Sequence, residues 1–269
     1  MVHAEIETHY CERHDEASRL GSTLKGRLER TRLRDFLTRY LPEPPADVAD
    51  VGGGTGVHAT WLKDQGYAVE LLDPMPHHVE QARSAGLTAV LGDARRLPWD
   101  NEYFDAALLA GPMYHLPGAA DRRLALREAV RVIRPGGFVA VIAINRAANL
   151  IGSALANRLS QRRAIVSEIL EHGYSAANER MAQTTYHTTT QLRTELTNAG
   201  LHAVTVHGLT GPGGWLTVAI DAHFKDQPLP STLAEPDPLQ TALECSRLAD
   251  RYPELVPASS LLFAVGQRA

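Results

Sequence analysis

The sequence predicts an α/β fold: a doubly wound, mostly parallel sheet covered by helices on both faces. Five short apolar segments alternate with stretches of helical periodicity between residues 46 and 145, and this alternation is typical of buried parallel strands. A glycine-rich turn, DVGGGTG at 50–56, follows the first of these segments and opens a helix. Strand and helix alternation resumes near the end of the chain, so one sheet accounts for the main core.

The predicted elements are separated by clear breaks. Leucine and aromatic residues recur at helical spacing after Ser22, and the helix that they predict stops at the proline-rich PEPPAD. The five strands predicted next are ADVADVGGG, YAVELLD, LTAVLGDA, YFDAALLAG and GFVAVIAIN. The helices between them are HATWLKDQG, PHHVEQARSAG and RRLALREAVRVIRPGG, each of which stops at glycine.

The pattern changes after Asn145. Residues 146–174 are helix-like and unaccompanied by strands, and AANERMAQTTYH at 176–187 reads as a loop. A helix, TTTQLRTELTNAGL, and a strand, HAVTVHGL, follow. The end of the chain then carries the loop GPGGW, a proline-rich loop, a helix from about residue 239 to 251 and a last strand, SSLLFAVGQR.

Composition argues against several classes of partner. The formal net charge is -4 with no cluster of basic residues, so we expect neither nucleic acid nor an anionic membrane surface as the main partner. The longest apolar run, Phe138–Ile144, is too short to span a bilayer. Cys11 and Cys245 lie far apart and form no cysteine motif. The default expectation is therefore a protein of the reduced cytoplasm.

The histidines do not predict a metal site. His9 and His14, and the adjacent His77 and His78, lack the i, i+4 helical spacing and the acidic third ligand of a recognisable zinc site. We therefore expect no bound metal.

The glycine-rich turn predicts a ligand site at one edge of the sheet. In an open α/β sheet a ligand binds outside the carboxyl ends of the strands, and Gly52, Gly53 and Gly54 would let it approach the backbone closely. Asp50 ends the first strand and is expected to orient this turn from behind. A tight turn without a ligand uses the same residues, so glycine alone leaves both interpretations open.

Two further carboxylates follow at the same edge. Asp73, before Pro74, ends the second strand, where it can accept two hydrogen bonds from the vicinal hydroxyls of a ribose. Asp93 ends the third strand within Gly92-Asp93-Ala94, placed to meet an adenine amine while Ala94 leaves room for the ring. Each aspartate also suits a purely structural role, as a helix cap or a turn residue.

The order and spacing of these motifs resemble the class I S-adenosylmethionine (SAM)-dependent methyltransferases. The similarity covers DVGGGTG, Asp73, the GDA at 92–94, YFDAALLAG and RPGG at 134–137. It is strong over about residues 46–145 and looser beyond. The resemblance implies a Rossmann-like sheet of seven strands with an antiparallel last strand. It also implies SAM as cofactor, S-adenosylhomocysteine as product, and O- or N-methylation of a small-molecule acceptor.

The resemblance also implies a division of the chain. Residues 1–45 would form a helical lid, in which Tyr10 and Arg19 cover the cofactor. Residues 46–269 would form the SAM-binding domain, and a helical cap over the substrate would be inserted at about 146–188. We expect a monomer or a homodimer.

Other functions remain open at this point. A nicotinamide-dependent oxidoreductase shares GGGTG and a downstream aspartate, but its G-x-G-x-x-G/A fingerprint fails at Val57 when counted from Gly52. Counted from Gly54 the fingerprint is satisfied at Ala59, but it then begins late in the glycine-rich turn. The fold could also serve a non-methylating SAM enzyme that releases methylthioadenosine, or a non-catalytic SAM-binding subunit.

The segment AGPMYHL at 110–116 carries the candidate catalytic residues. Ala110 and Gly111 would turn the chain out of the sheet beside the cofactor, and Met113, Tyr114 and His115 would then face the transferable methyl. An unperturbed imidazole suits proton removal near neutral pH, so His115 is the candidate base and Tyr114 could orient the acceptor. His115 could equally cap the turn.

Five residues after the fourth strand are candidates for binding the acceptor. They combine apolar bodies with polar tips or end a strand at the cofactor edge, which suits a partly aromatic acceptor. These candidates are Asn145, Tyr174, Tyr186, His187 and Trp215.

Overall fold

The computed structural model describes residues 20–178, 182–224 and 227–269. Within these ranges a single sheet carries helices on both faces. Its strands are β1 Asp47–Val51, β2 Ala68–Asp73, β3 Thr88–Leu91, β4 Phe104–Leu109, β5 Ile133–Asn145, β6 Tyr174–Ser175, β7 Thr184–His187, β8 Leu201–Gly208 and β9 Leu261–Arg268.

Eleven α-helices accompany these strands in the described residues. They are α1 Leu24–Tyr40, α2 Val57–Asp64, α3 Pro76–Ser84, α4 Pro112–His115, α5 Ala119–Val132, α6 Ala148–Leu155, α7 Leu159–His172, α8 Thr189–Asn198, α9 Gly214–Phe224, α10 Ser231–Ala234 and α11 Pro238–Ala249. A 3-10 helix, Pro253–Ala258, precedes β9.

The strand order confirms the predicted sheet. The order β3-β2-β1-β4-β5 is parallel throughout, with β1 at the point where the chain reverses its winding direction. The last strand, β9, pairs antiparallel with both β5 and β8. These seven strands are the ones expected. The short pair β6 and β7 extends the sheet, because β7 runs parallel to the end of β5.

Apolar side chains fill the space on both faces of the sheet. On one face Leu126 and Val132 of α5 and Leu192 of α8 pack against strand residues such as Val141. On the other face α1 supplies Leu33, Phe36 and Leu37 to a cluster that contains Val48 and Phe263. The N-terminal helix is therefore part of the core as well as a candidate lid.

The structure corrects several predicted boundaries. Residues 184–187 of the predicted loop form β7, because Tyr186 and His187 pair in register with Ile144 and Asn145. The predicted GPGGW loop turns at once into α9, which begins at Gly214 and places Trp215 on a helix. The RPGG segment lies inside β5 and not in a turn before it.

The segment after β4 is also more regular than predicted. Pro112 to His115 form one helical turn, α4, whose first residue is the proline. Met113 is fully buried in the core cluster and does not line the cavity beside Tyr114, so the expectation that it faces the methyl group is wrong.

The described ranges contain neither a membrane-spanning helix nor a cluster of metal-ligand side chains. No described helix is long and apolar enough to cross a membrane. No group of three or more histidine, cysteine or acidic side chains is arranged to hold a metal ion in the same ranges.

Candidate functional site

A cavity of about 920 Å³ opens at the carboxyl ends of the parallel strands. It is lined by the segments that follow β1, β2, β3 and β4 and by residues of α1, α6 and α9. Most of the predicted site residues meet here. Those that line the cavity are Gly52, Gly53, Gly54, Asp73, Pro74, Asp93, Ala94, Ala110, Gly111, Tyr114, His115, Tyr186 and Trp215.

The glycine-rich turn is held tightly against β2. The backbone N–H of Gly52 donates to the carbonyl oxygen of Leu72 at 2.7 Å. Gly52 and Gly54 have positive φ values of 74° and 57°, which glycine adopts without strain. A Cβ on Gly53 would lie 2.6 Å from Asp50 Oδ2, whereas the space over Gly54 is open within 4 Å. The turn therefore offers bare backbone to the cavity.

The Asp73 carboxylate is oriented by three donors of the protein. Its Oδ1 accepts from the backbone N–H of Met75 and from His78 Nδ1, both at 2.9 Å. Its Oδ2 accepts from the backbone N–H of Gly54 at 2.9 Å. A carboxylate offers about four lone-pair positions, so roughly one remains, on Oδ2. The sequence-based expectation of two hydrogen bonds from a ribose to Asp73 therefore exceeds what this arrangement offers.

Asp50 lies behind the glycine-rich turn and outside the cavity. It is fully buried. Burial and then the negative charge of Asp73 raise the pKa of Asp50 to about 7, while the backbone amide of Ala59 opposes the shift without cancelling it. Asp50 thus lies behind the turn at Gly53.

Asp93 forms an ion pair at the cavity wall. Arg95 Nε donates to Asp93 Oδ1 at 2.9 Å, and Arg95 also contacts Asp121 at 3.3 Å. Burial acts to raise the pKa of Asp93, but the hydrogen bonds and charge of Arg95 outweigh it and lower the pKa. Arg95 lines the cavity beside Asp93, so a ligand amine would share the carboxylate with this guanidinium.

Tyr114 and His115 lie side by side on α4 at the cavity. Their ring centroids are 4.5 Å apart, and the His115 backbone N–H donates to the carbonyl oxygen of Gly111 at 3.3 Å. The chain that leaves this turn is held by Arg122, whose Nη1 donates to the carbonyl oxygens of Leu116 and Pro117 at 3.0 and 2.9 Å. The turn is therefore fixed from its C-terminal side.

Arg122 belongs to a buried network that reaches β7 and α8. Its Nη2 donates to Glu195 Oε1 at 2.8 Å, and His187 Nε2 lies 3.3 Å from Glu195 Oε2. Burial would raise the pKa of Glu195, but the hydrogen bonds and charges of His187 and Arg122 lower it to about 2. The network joins the strand-four loop to the inserted segment.

Some predicted site residues lie away from the cavity. Asn145 donates to the carbonyl oxygens of Pro257 and Ser259 at 2.8 and 2.7 Å, so its amide joins β5 to the segment before β9. His187 is fully buried in the Glu195 network, because β7 turns it away from the cavity that Tyr186 lines. Gly92 packs on Leu72, and Tyr174 is absent from the cavity lining. Tyr10 and Arg19 lie outside the described residues.

Several cavity residues were missed by sequence reasoning. Lys25 and Glu29 of α1 line the cavity and form an ion pair at 3.1 Å. Asp221 of α9 accepts the backbone N–H groups of Leu24 and Lys25 at 3.1 and 2.9 Å, which ties the start of α1 to the cap. Their i, i+4 and capping patterns suit any solvated helix, so no signal in the sequence marked them. His78, which lines the cavity and contacts Asp73, was missed as well.

Parts of the chain are similar to known proteins. A family profile described as a methyltransferase domain matches residues 49–141. An uncharacterized methyltransferase of Mycobacterium tuberculosis strain H37Rv is 33% identical over 137 residues, which are 49% of this chain and 54% of that protein. A 2-methyl-6-phytyl-1,4-hydroquinone methyltransferase of rice (Oryza sativa subsp. japonica) is 38% identical over 101 residues, 35% of this chain and 28% of that protein.

The chain thus spans about half the length of the mycobacterial relative. Among solved structures, a SAM-dependent methyltransferase of Methanosarcina mazei superposes with a TM-score of 0.58 at 15% identity, covering 87% of this chain and 96% of that chain. A geranyl diphosphate C-methyltransferase of Streptomyces coelicolor A3(2), solved with S-adenosyl-L-homocysteine, gives 0.53 at 15% identity over 89% and 81% of the two chains.

At such identities these structures show the shared fold alone. The profile match and the strand order agree with each other, since residues 49–141 contain the glycine-rich turn and the strands β2 to β4. Residues 49–141 therefore match a methyltransferase domain, and the chain has the fold of the class I SAM-dependent methyltransferases.

Proposed function

We propose that this protein is an enzyme that transfers the methyl group of SAM to an oxygen or nitrogen atom of a small molecule. One observation carries the proposal. One continuous cavity is lined by the glycine-rich turn, Asp73 and Asp93 and also by Tyr114, His115 and the cap helices. Cofactor and acceptor would therefore meet in the same cavity.

The cofactor side has the features that SAM requires. The backbone over Gly54 is open, whereas side chains at Gly52 and Gly53 would collide with the protein itself. The free lone pair of Asp73 suits a ribose hydroxyl, and Asp93 suits the adenine amine. Among the relatives, two solved methyltransferases of this fold contain S-adenosylhomocysteine.

Methyl transfer from SAM requires little from the protein beyond alignment of the acceptor with the methyl group. SAM supplies a methyl group on a sulfonium, which leaves as a neutral thioether. Holding an acceptor in line with the methyl group can supply roughly 7 to 11 kcal/mol, and a positioned base adds about 10²- to 10⁴-fold. The rigid turn that presents Tyr114 and His115 suits both tasks, with His115 removing a proton from the acceptor and Tyr114 orienting it.

The walls around the acceptor favour a small and partly aromatic molecule. Tyr186 and Trp215 both line the cavity, and apolar Leu33, Ile142 and Val218 lie on the same surface. A volume of about 920 Å³ is near the upper end of the usual range for a single ligand site, which is roughly 300 to 1,000 Å³. It would hold the cofactor and an acceptor side by side. The rice relative's name gives a hydroquinone as its acceptor, which would suit such walls.

The division of the chain follows from this assignment. The helical lid at 1–45 and the cap inserted at about 146–188 would close over the two ligands. Lys25 and Glu29 support the first part, because α1 reaches the cavity. We further propose a cytoplasmic monomer or homodimer that acts on metabolites and not on nucleic acid.

Incubation with methyl-labelled SAM and a fractionated metabolite extract tests the function. The expected result is label in one small-molecule fraction together with an equal amount of S-adenosylhomocysteine. Release of methylthioadenosine would instead indicate a displacement at the aminobutyl carbon. Calorimetry that shows no affinity for SAM but clear affinity for a nicotinamide dinucleotide would overturn the proposal.

A further inference from the structure

Asp221 is a cavity residue to which the methyltransferase motifs assign no role. It lies on α9, where Trp215, Val218 and Ala222 line the same cavity. These positions recur at helical spacing, so one face of α9 forms this part of the wall. Asp221 is the one carboxylate on a face that is otherwise apolar or aromatic.

Both carboxylate oxygens of Asp221 bind the start of α1, which lies 196 and 197 positions away in the sequence. Oδ1 accepts the backbone N–H of Leu24 at 3.1 Å, and Oδ2 accepts that of Lys25 at 2.9 Å. These are the first two residues of α1, whose N–H groups have no acceptor within the helix. The hydroxyl of Thr23 accepts the next donor, the N–H of Gly26, at 2.9 Å. Asp221 therefore completes the cap of α1 from a distant element.

The segment that Asp221 holds is itself part of the cavity wall. We call residues 20–25 the strap. Leu20 and Lys25 line the cavity, and Leu20 is only 5% exposed. Between them the chain bends at Thr23, whose extended backbone (φ -98°, ψ 150°) separates the helical residues 20–22 from α1. The two bonds from Asp221 thus act directly beside this bend.

Beyond the strap, α1 is anchored independently of Asp221. Leu28, Leu33 and Phe36 are buried in hydrophobic clusters. Arg32 also donates to the carbonyl oxygen of Leu209 at 3.2 Å. Loss of the Asp221 contact would therefore loosen the strap and leave the rest of α1 in the core.

Resting on the proposed SAM site, we infer that Asp221 is a positioning residue that latches the strap to α9 and so holds ligands in the cavity. The strap and α9 both line the cavity, and the contact joins these two parts of its wall. A ligand leaves more readily once both hydrogen bonds are broken. The role explains why a carboxylate occurs on the cavity face of α9.

Two substitutions at Asp221 weaken the latch by different amounts. Asp221→Asn keeps one acceptor oxygen, whereas Asp221→Ala keeps none. By surface plasmon resonance with S-adenosylhomocysteine, we expect the dissociation rate to rise about threefold for Asp221→Asn and at least about tenfold for Asp221→Ala, since each lost hydrogen bond changes the rate by a few fold.

Asp237→Ala is the matched control. Asp237 also caps a helix, because its Oδ1 accepts the N–H of Leu239 at the start of α11 at 3.1 Å, but it is absent from the cavity lining. Both alanine variants should be less stable in urea, since each loses a helix cap. Only Asp221→Ala should release S-adenosylhomocysteine faster, and Asp237→Ala should stay within about twofold of the wild-type rate. If Asp221→Ala does not fold, Asp221→Asn is compared with Asp237→Asn.

Hydrogen exchange of the strap gives a second readout. In the wild-type protein, the backbone amides of residues 20–25 should exchange more slowly when S-adenosylhomocysteine is bound, because the ligand favours the latched strap. This slowing should be lost in Asp221→Ala and retained in Asp237→Ala.

An unchanged dissociation rate in both Asp221 variants, or equal acceleration in the Asp237 control, would overturn the inference. Strap amides whose exchange does not respond to the ligand in the wild-type protein would overturn it as well. In each of these outcomes the wild-type protein still binds S-adenosylhomocysteine, so the proposed function stands. Absence of any binding to the wild-type protein would instead remove both proposals together.

Discussion

The Asp50 carboxylate lies directly beneath the backbone of Gly53. A Cβ at Gly53 would come within 2.6 Å of Asp50 Oδ2 and 2.7 Å of Leu71 Cδ1. Both neighbours are fully buried, so neither can move aside cheaply. This contact fixes the height of the glycine-rich turn above the sheet, and with it the backbone that the turn presents to the cavity.

Gly53→Ala should therefore displace the turn. We expect a loss of about 1 to 3 kcal/mol in the free energy of unfolding, as for other overpacked cores, and at least about tenfold weaker binding of SAM by calorimetry. Gly21→Ala is the control, since a Cβ added at Gly21 would meet nothing within 4 Å. Wild-type affinity in Gly53→Ala would show that the turn does not support the cofactor.

The raised pKa of Asp50 predicts a stability that falls as pH rises. Its pKa is about 7 in the folded protein against 3.8 for an ordinary aspartate, so below pH 4 the group is protonated in both states. Between about pH 4 and 7 only the unfolded chain ionises, and the folded state loses up to about 4 kcal/mol relative to it.

Asp50→Asn should remove this dependence. Both proteins are unfolded in urea at pH 4, 5.5, 7 and 8. As pH rises, the free energy of unfolding of the wild-type protein should fall relative to that of Asp50→Asn, and the difference should level off above pH 7. Parallel profiles for the two proteins would show that Asp50 titrates normally.

Asp73→Ala should weaken SAM binding by at least about tenfold. The substitution removes the acceptor for a ribose hydroxyl and releases the N–H groups of Gly54 and Met75 that the carboxylate holds. Calorimetry measures the effect, and Asp64→Ala, an exposed site at the end of α2, should bind as the wild type does. An unchanged Kd would remove Asp73 from the ribose site.

His115→Ala should reduce turnover far more than cofactor affinity. Loss of a general base costs about 10²- to 10⁴-fold, whereas Kd for SAM should change by less than about threefold. Turnover of the acceptor found with labelled SAM is the measurement, with the exposed His172 replaced by alanine as the control. Wild-type turnover in His115→Ala would leave this side chain only the role of holding the turn.

Arg122→Ala should destabilise the protein strongly. Arg122 is 4% exposed, and its loss would remove the cation paired with Glu195 and one donor from each of the carbonyl oxygens of Leu116 and Pro117. Breaking one side of a buried ion pair costs about 3 to 5 kcal/mol. Urea unfolding should show such a loss, while the exposed neighbour variant Arg123→Ala should stay within about 0.5 kcal/mol. A small change at Arg122 would mean that water replaces its contacts.

The sheet and the cofactor edge were predictable from local pattern. Apolar segments of strand length that alternate with helical periodicity leave few arrangements other than a parallel sheet. Because the carboxyl ends of parallel strands meet at one edge, Gly53, Asp73 and Asp93 had to lie near one another. The antiparallel strand β9 was implied by the family resemblance, and its pairing with β5 and β8 agrees.

The inserted segment was less predictable. Tyr186 and His187 were grouped as acceptor candidates in a loop, yet β7 sends one side chain to the cavity and the other into the core. Alternation along a strand separates neighbours in sequence by face, and a four-residue strand with few apolar residues gives little periodicity to detect. Asn145 likewise ended its strand at the expected edge, but its amide turned to the backbone before β9.

By itself, then, the sequence determined which segments form the sheet and which residues stand at its carboxyl edge, since both follow from periodicity and chain order. Only the tertiary structure decided how those residues are used. It showed that Asp73 accepts hydrogen bonds from Gly54, Met75 and His78. It also showed that Arg122 donates to Glu195, 73 positions away in the sequence. Such contacts depend on side-chain direction and on pairing between distant segments, and neither leaves a mark in local sequence pattern.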